Sequence, residues 1–182
     1  MSSQEDLRAI ALAEFAAAGY AATSLQRIAE LAGLSKSSVL YHYASKEHLL
    51  EAAVGPAIDR MNAIVDSFQV AGLGDRAAFL EGFVDLLLEN RLAVNIFINQ
   101  GPSLVDVPVI DRANQLVYRL AQFFAANTAS IEEKMRFGIA LGGAAYMLCT
   151  VQNLELEVGT TDETRAALIS IMSQLLAPIS TR

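Results

Sequence analysis

Three helix starts stand close together between residues 23 and 50, and this arrangement constrains the fold more than any other feature of the sequence. Thr23, Ser35 and Ser45 each occupy a position typical of a helix cap. Gly33 is placed to end the first of these helices and to form a tight turn before the second. Two short helices joined by such a turn predict a helix-turn-helix, whose second helix can enter the major groove of DNA.

The residues around this motif resemble the tetracycline-repressor (TetR) family of transcriptional regulators. The resemblance extends from Leu7 to Leu50 and depends on several short matches taken together. The matching residues are Phe15-Ala-Ala-Ala-Gly19-Tyr20, Thr23-Ser24, Ile28-Ala29-Glu30-Leu31-Ala32-Gly33, Ser35, Tyr41-His42-Tyr43 and Ser45-Lys46-Glu47. The rest of the chain resembles the family in length and helical character. The resemblance implies a homodimer that binds DNA through the N-terminal motif and a small molecule through the larger body.

Apolar residues recur at helical spacing along the chain, and the sequence has no strand-like alternation. We therefore predict an all-α fold, with an N-terminal three-helix head that contains the helix-turn-helix in residues 1–48. A C-terminal helical body for ligand binding and dimerisation is expected in residues 49–182. A long fourth helix should follow Ser45, with a kink or a break near Val54 caused by Gly55-Pro56.

Composition narrows the classes of function that remain. The formal net charge is −7, and residues 1–54 carry four basic and six acidic side chains, so DNA binding should depend on a few local cations. The longest mostly apolar run without charge, residues 137–151, is shorter than the roughly 20 residues that span a bilayer. A single cysteine, Cys149, and an N-terminus unlike a signal peptide favour a cytoplasmic protein with no membrane partner.

The second helix of the motif carries the candidate DNA contacts. Lys36 lies at its start and can donate to guanine or to a phosphate, whereas Tyr41 and His42 can donate to phosphate. Val39 and Leu40 are expected to pack inward. The predicted DNA-binding residues are Ser24, Lys36, Ser37, Ser38, Tyr41, His42 and Lys46. The predicted partner is double-stranded operator DNA, palindromic if the protein is a homodimer. The alternative for the serines is that they only cap helices.

Aromatic and amide side chains recur in the body, in stretches with few charges. Such a composition is typical of a mainly apolar ligand cavity with a few polar groups, and also of an ordinary helical core. The resemblance favours the cavity, because members of the family bind small-molecule inducers in the body. The candidate ligand-binding residues are Phe83, Asn95, Tyr118, Phe123 and Tyr146, and the expected ligand is hydrophobic or aromatic.

The last two helices are candidates for a subunit interface. Small residues around Gly142 allow two helices to approach closely, and the final helix carries an apolar stripe. The predicted interface residues are Gly142, Leu168, Ile171, Met172 and Leu175. The alternative is that both helices only cover the core of one subunit. The resemblance favours a homodimer in which the two helices of each subunit form a four-helix bundle.

Signals of catalysis and metal binding are weak. His42 and His48 do not have the spacing of a helical metal pair, and no catalytic or phosphate-binding motif is present in the sequence. We expect no enzyme activity, no cofactor and no metal. The main hypothesis is a repressor that a small apolar ligand releases from its operator. The alternatives are a dimeric DNA-binding regulator without a ligand, and a helical carrier or enzyme with a vestigial head.

Overall fold

The computed structural model describes residues 4–128, 130–150 and 159–177, and every regular element in these ranges is helical. The α-helices are α1 (Gln4–Ala18), α2 (Leu25–Leu31), α3 (Lys36–His42), α4 (Lys46–Ala71), α5 (Arg76–Glu89), α6 (Arg91–Gln100), α7 (Pro108–Asn127), α8 (Ile131–Thr150) and α9 (Thr161–Leu175). Short 3-10 turns precede α5 and follow α6. The predicted all-α fold is therefore confirmed. Within the same ranges, none of the helices has the length and apolar character needed to traverse a bilayer.

The start of α2 differs from the prediction by one residue. Ser24, not Thr23, caps α2, because its hydroxyl oxygen accepts a hydrogen bond from a backbone N–H of the first turn at 3.1 Å. The Thr23 side chain is buried and donates its hydroxyl to the carbonyl of Gly19 at 2.8 Å. The caps predicted at Ser35 and Ser45 are confirmed.

The long fourth helix continues through the glycine–proline pair. Of the kink or break predicted near Val54, the break is wrong, since α4 runs without interruption from Lys46 to Ala71, and the kink stays a prediction. Pro56 lies on the exposed side of the helix, where water can solvate the carbonyl group that loses its N–H partner. A proline in that position therefore costs less than one that faces the core.

The chain folds as two compact units, each built from two segments of sequence. Unit 1 consists of Met1–Asp59 and Leu92–Ala113. Its core contains side chains from the helix-turn-helix and from α6 and α7. The fully buried members include Leu7, Phe15, Ile28, Val39, Leu49, Leu50 and Ile96. The helices of the helix-turn-helix thus share one core with the segment that contains α6.

Unit 2 consists of Arg60–Arg91 and Asn114–Arg182, and aromatic rings fill much of its core. The ring centroids of Phe124 and Phe137 are 3.7 Å apart, and other phenylalanines pack around this pair. An ion pair joins α5 to α9, with the Arg165 guanidinium 2.5 Å and 3.0 Å from the two carboxylate oxygens of Asp85. The hydrogen bond from Arg165 holds the pKa of Asp85 below its ordinary value.

Candidate nucleic-acid interface and body cavity

The turn between α2 and α3 brings the two helices together as a compact pair. Gly33 adopts a left-handed φ of 66°, which a side chain would disfavour, and allows the chain to reverse there. The N–H of Leu34 then donates to the carbonyl of Ala29 at 2.8 Å. Ile28 of α2 and Val39 of α3 are fully buried. The opposite side of α3 therefore faces solvent.

The exposed side of α3 carries most of the predicted DNA contacts. Lys36, Ser37, Tyr41 and His42 are exposed, and the Tyr41 side chain reaches 86% exposure. The hydroxyl oxygen of Ser35 lies 2.8 Å from those of Ser37 and of the half-buried Ser38. The first turn of α3 thus presents hydroxyl groups that are already ordered, and the second presents an aromatic ring.

Leu40 does not pack inward as predicted. Its side chain is 41% exposed and lies beside Tyr41 on the solvent side of α3. A helix of 7 residues buries a narrow face, and Val39 occupies it. The surface predicted to contact DNA therefore includes an apolar residue that was expected in the core. The exposure of Leu40 follows from helical spacing, since residues 37, 40 and 41 share one side of a helix.

Lys46 is engaged within unit 1. Its ammonium nitrogen donates to the carbonyl oxygens of Tyr20 at 2.8 Å and Thr23 at 2.9 Å. The same nitrogen lies 4.2 Å from the centre of the Tyr20 ring, an arrangement typical of a cation–π contact. Lys46 thus holds the turn between α1 and α2, and a phosphate contact from it stays a prediction.

The end of α3 is tied to the first turn of α1. The Tyr43 hydroxyl donates to the backbone carbonyl of Gln4 at 3.2 Å. His42 Nδ1 lies 3.4 Å from the side-chain amide nitrogen of Gln4, Nε2. In α2, Arg27 pairs with Glu14 at 3.3 Å. Lys36 has no ion-pair partner among the residues that the structure describes. The positive charge offered by α3 is therefore concentrated at its start.

Residues 7–53 match the family described as bacterial regulatory proteins, tetR family. The N-terminal segment is therefore similar to the tetR family. Among curated proteins, none matches the sequence significantly. The family match covers the helix-turn-helix and the start of α4, and the remainder of the chain is similar to known proteins in its fold.

Solved structures share that fold over nearly the whole chain. A ketosteroid transcriptional regulator from Mycobacterium tuberculosis has a TM-score of 0.79 at 15% identity, over 100% of this chain and 97% of that one. A TetR-family regulator from Streptomyces coelicolor A3 has a TM-score of 0.73 at 21% identity, over 96% and 91% of the two chains. A fatty acid degradation regulator from Bacillus halodurans has a TM-score of 0.62 at 11% identity, over 98% and 97%. These likenesses establish the TetR-family fold for both units.

The predicted ligand-binding residues are divided between the two units. Phe83 is buried and stacks on a neighbouring ring of α5, and Phe123 is half-buried. Tyr118 and Tyr146 are 64% and 57% exposed. Asn95 belongs to unit 1, whereas the other four belong to unit 2. The five residues therefore do not line a common cavity within either unit.

Unit 2 does contain a half-open cavity of about 260 Å³ between α4 and the start of α5. Its lining residues are Arg60, Ala63, Ile64, Ser67, Phe68, Asp75, Ala78 and Phe79. The predicted Phe83 and Phe123 lie just behind this wall, since Phe83 stacks on Phe79 and Phe123 packs edge-on against Phe68. The aromatic pattern of the sequence predicts an apolar site on α5 to α8, whereas α4 contributes most of the lining residues of this cavity.

Arg60 is the cation at this cavity, and its charge is balanced. Its guanidinium is hydrogen-bonded to the Glu89 carboxylate, which raises the pKa of Arg60 further. Asp75 contributes a carboxylate to the same wall. The wall of the cavity therefore combines apolar side chains with the Arg60–Glu89 pair and one further carboxylate.

The predicted interface residues divide into two groups. Met172 is 1% exposed and packs inside its own subunit, whereas Ile171 beside it is 54% exposed. Leu168 and Leu175 are half-buried, and Gly142 is exposed with open space where a side chain would stand.

The exposed apolar side chains of α8, here called the α8 face, are Ile131, Met135, Ile139, Tyr146 and Met147. Gly138, Gly142 and Gly143 lie among them.

Proposed function

We propose that this protein is a homodimeric repressor of the TetR family that binds a palindromic operator through α3 and is released from it by a small apolar ligand. The observation that carries the DNA-binding part is the exposed side of α3, within the segment that matches the family. Lys36 would contact a guanine or a phosphate, Tyr41 and His42 phosphates, and Ser24, Ser37 and Ser38 the backbone or base edges. A regulator of this kind acts on DNA in the cytoplasm.

The α8 face supports the homodimer. A row of exposed apolar residues interrupted by glycines is unfavourable in water and allows a second helix to approach closely. Ile171 of α9 would add an exposed apolar side chain to the same interface. A two-fold pairing would present two copies of α3, which suits operator half-sites about 34–36 Å apart or a multiple of this spacing.

The cavity in unit 2 supports the ligand. A volume of about 260 Å³ lies just below the range of about 300–1,000 Å³ that is typical of small-molecule sites, so the ligand should be small. Phe68, Phe79 and Ile64 offer apolar contacts, and the Arg60–Glu89 pair leaves little net charge for an anion to neutralise. Two proteins that share the fold are named after ketosteroids and after fatty acid degradation. Ketosteroids and fatty acids are both largely hydrophobic compounds. A ligand could shift the DNA affinity only by the difference between its affinities for the two states.

Selection of bound sequences from random double-stranded DNA tests the DNA-binding part. We expect enrichment of a palindrome, and a gel shift with the enriched site that Lys36→Ala weakens. Lys134 of α8 is exposed, and Lys134→Ala provides the matched loss of one lysine outside α3. Failure to enrich any sequence would refute the function.

Thermal denaturation with steroids, fatty acids and their esters tests the ligand. A binder at about 100 times its dissociation constant adds roughly 2.7 kcal/mol to the free energy of unfolding. Ser67→Phe should reduce this effect by filling the cavity, whereas Ser103→Phe, at an exposed position of unit 1, should not. If a broad panel of apolar compounds leaves the denaturation midpoint unchanged, the protein is a dimeric regulator without a ligand.

A further inference from the structure

We propose that Gln100, the last residue of α6, is a positioning residue for DNA binding. Its side-chain amide makes two hydrogen bonds to the backbone at the end of α1. The Nε2 atom donates to the carbonyl of Phe15 at 2.8 Å, and the Oε1 atom accepts from the N–H of Tyr20 at 2.7 Å. The Gln100 side chain thus bonds to the backbone on both sides of the point at which the chain leaves α1.

The two backbone groups lie on either side of the end of α1. Phe15 lies in the last turn of α1, and its carbonyl oxygen, which already accepts from the N–H of Gly19 at 3.1 Å, receives a second donor from Gln100. Tyr20 lies just beyond the helix, after Gly19, whose φ is 90°. A primary amide is suited to both groups, because it carries a donor and an acceptor on one planar unit.

The turn held by Gln100 is held from a second side by Lys46. Lys46 donates to the carbonyls of Tyr20 and Thr23, so the N–H of Tyr20 is bound by α6 and its carbonyl by α4. The next residue, Ser24, caps α2. The position at which α2 begins, and hence the placement of α3 behind it, therefore depends on these two side chains.

The core of unit 1 provides most of its stability without this clamp. Phe15, Ile28, Leu50 and Ile96 are fully buried in that core, and a neutral hydrogen bond adds comparatively little to global stability. Losing the two bonds should therefore leave unit 1 folded but allow the turn before α2 to shift. Base contacts are sensitive to such a shift, whereas non-specific phosphate contacts are tolerant of it. This inference depends on the proposed DNA-binding function.

The test compares specific with non-specific DNA binding for Gln100→Met, which keeps the length of the side chain and removes both hydrogen bonds. The operator is the palindrome selected by the wild-type protein, and the competitor is a scrambled duplex of equal length. We expect the ratio of specific to non-specific affinity to fall about tenfold. The control is Gln122→Met, at an exposed glutamine of α7 that bonds only locally to Tyr118, and it should keep the wild-type ratio.

Two further measurements keep the outcome decisive. The Tyr20 amide should exchange its hydrogen faster in Gln100→Met than in the wild type. In a double-mutant cycle with Lys46→Met, the losses of specific affinity should be non-additive, because both residues hold one turn. A wild-type ratio for Gln100→Met would overturn this inference alone. An unfolded variant, or an equal loss of specific and non-specific affinity, would overturn it in favour of a purely structural role. Failure of the wild type to select any DNA would overturn the proposed function as well.

Discussion

The ammonium nitrogen of Lys46 lies 2.8 Å from the carbonyl oxygen of Tyr20 and 4.2 Å from the centre of the Tyr20 ring. Lys36, at the start of α3, is exposed and has no such partner among the described residues. The two lysines therefore have different roles. Lys46 orders the turn before α2, whereas Lys36 faces solvent on the side of α3 assigned to DNA.

Substitutions should separate these two lysines. Lys36→Ala and Tyr41→Ala should each weaken operator binding by roughly 1–3 kcal/mol and leave the thermal midpoint unchanged, because both side chains are exposed. Lys46→Met should lower both the midpoint and the affinity, since it removes two hydrogen bonds inside unit 1. Gel shifts and calorimetry on the same preparations check this. Wild-type affinity for both Lys36→Ala and Tyr41→Ala would remove α3 from the interface.

Leu40 should recognise a thymine methyl group. It is an exposed apolar side chain on the face of α3 assigned to DNA, and apolar contact with the thymine methyl is a common form of base recognition. Replacing single thymines of the selected operator by deoxyuridine should cost about 0.8 kcal/mol at one position of each half-site. The loss should vanish in Leu40→Ala. A scan in which wild type and variant respond equally at every thymine would contradict the contact.

The affinity for the operator should depend weakly on salt. With Lys36 as the principal exposed cation of α3 and Lys46 bound internally, each head should neutralise one or two phosphates. The slope of log K against log salt concentration should then be roughly −2 to −4 for the dimer. Titrations between 50 and 200 mM salt, which span the range in which counterion release is measured, give the slope. A much steeper slope would reveal further basic contacts.

The two neighbours Ile171 and Met172 should respond differently to a buried charge. Ile171→Glu should dissociate the dimer and leave the subunit folded, because the side chain is exposed in one subunit. Met172→Glu should unfold the subunit itself.

Gly142→Leu should stabilise α8 by about 1 kcal/mol, because leucine favours a helix more than glycine does. The same change should weaken the dimer, since the space beyond Gly142 is open within one subunit. Sedimentation and urea denaturation distinguish the two effects. An unchanged dimer in both Ile171→Glu and Gly142→Leu would place the interface elsewhere.

The Asp85–Arg165 pair should contribute to stability at neutral pH and not in strong acid. The pKa of Asp85 is held below its usual 3.8 in the folded state, so the contribution is complete above that value and is lost as the pH falls through the folded pKa. Asp85→Asn should therefore be less stable than wild type at pH 7, and the difference should shrink well below pH 3.8. Urea denaturation at both pH values measures this. A difference that does not change with pH would argue against the ion pair.

Features set by neighbours in sequence were predictable. Caps at Ser35 and Ser45, and the turn at Gly33, follow from spacings of three or four residues, and the structure confirms them. Thr23 was assigned a cap because nothing in the local pattern indicates that its hydroxyl would bond to Gly19 across the turn. This contact also spans four residues, so spacing alone does not distinguish a helix cap from a contact within a turn.

The cavity illustrates the same difficulty in unit 2. Phe68 lies on α4, which by its pattern alone is a helix that joins the head to the body, and so its ring was not considered for a ligand site. The structure stacks it against Phe79, with a centroid distance of 4.3 Å, and this pair lines the cavity. Which faces of α4 and α5 meet depends on packing over the whole unit, and helical spacing in either segment does not reveal it.

The division of unit 1 into two stretches of sequence bears on how such a protein could be recombined. Met1–Asp59 taken alone lacks Ile96, which completes the core, and Gln100, which binds the end of α1. A chimera that transfers only the N-terminal stretch to another regulator would exchange its helix-turn-helix without the residues that hold it. The unit that folds together is therefore encoded by two stretches separated by Arg60–Arg91, and a change of DNA specificity should be engineered more readily on the surface of α3 than by exchange of the N-terminal stretch.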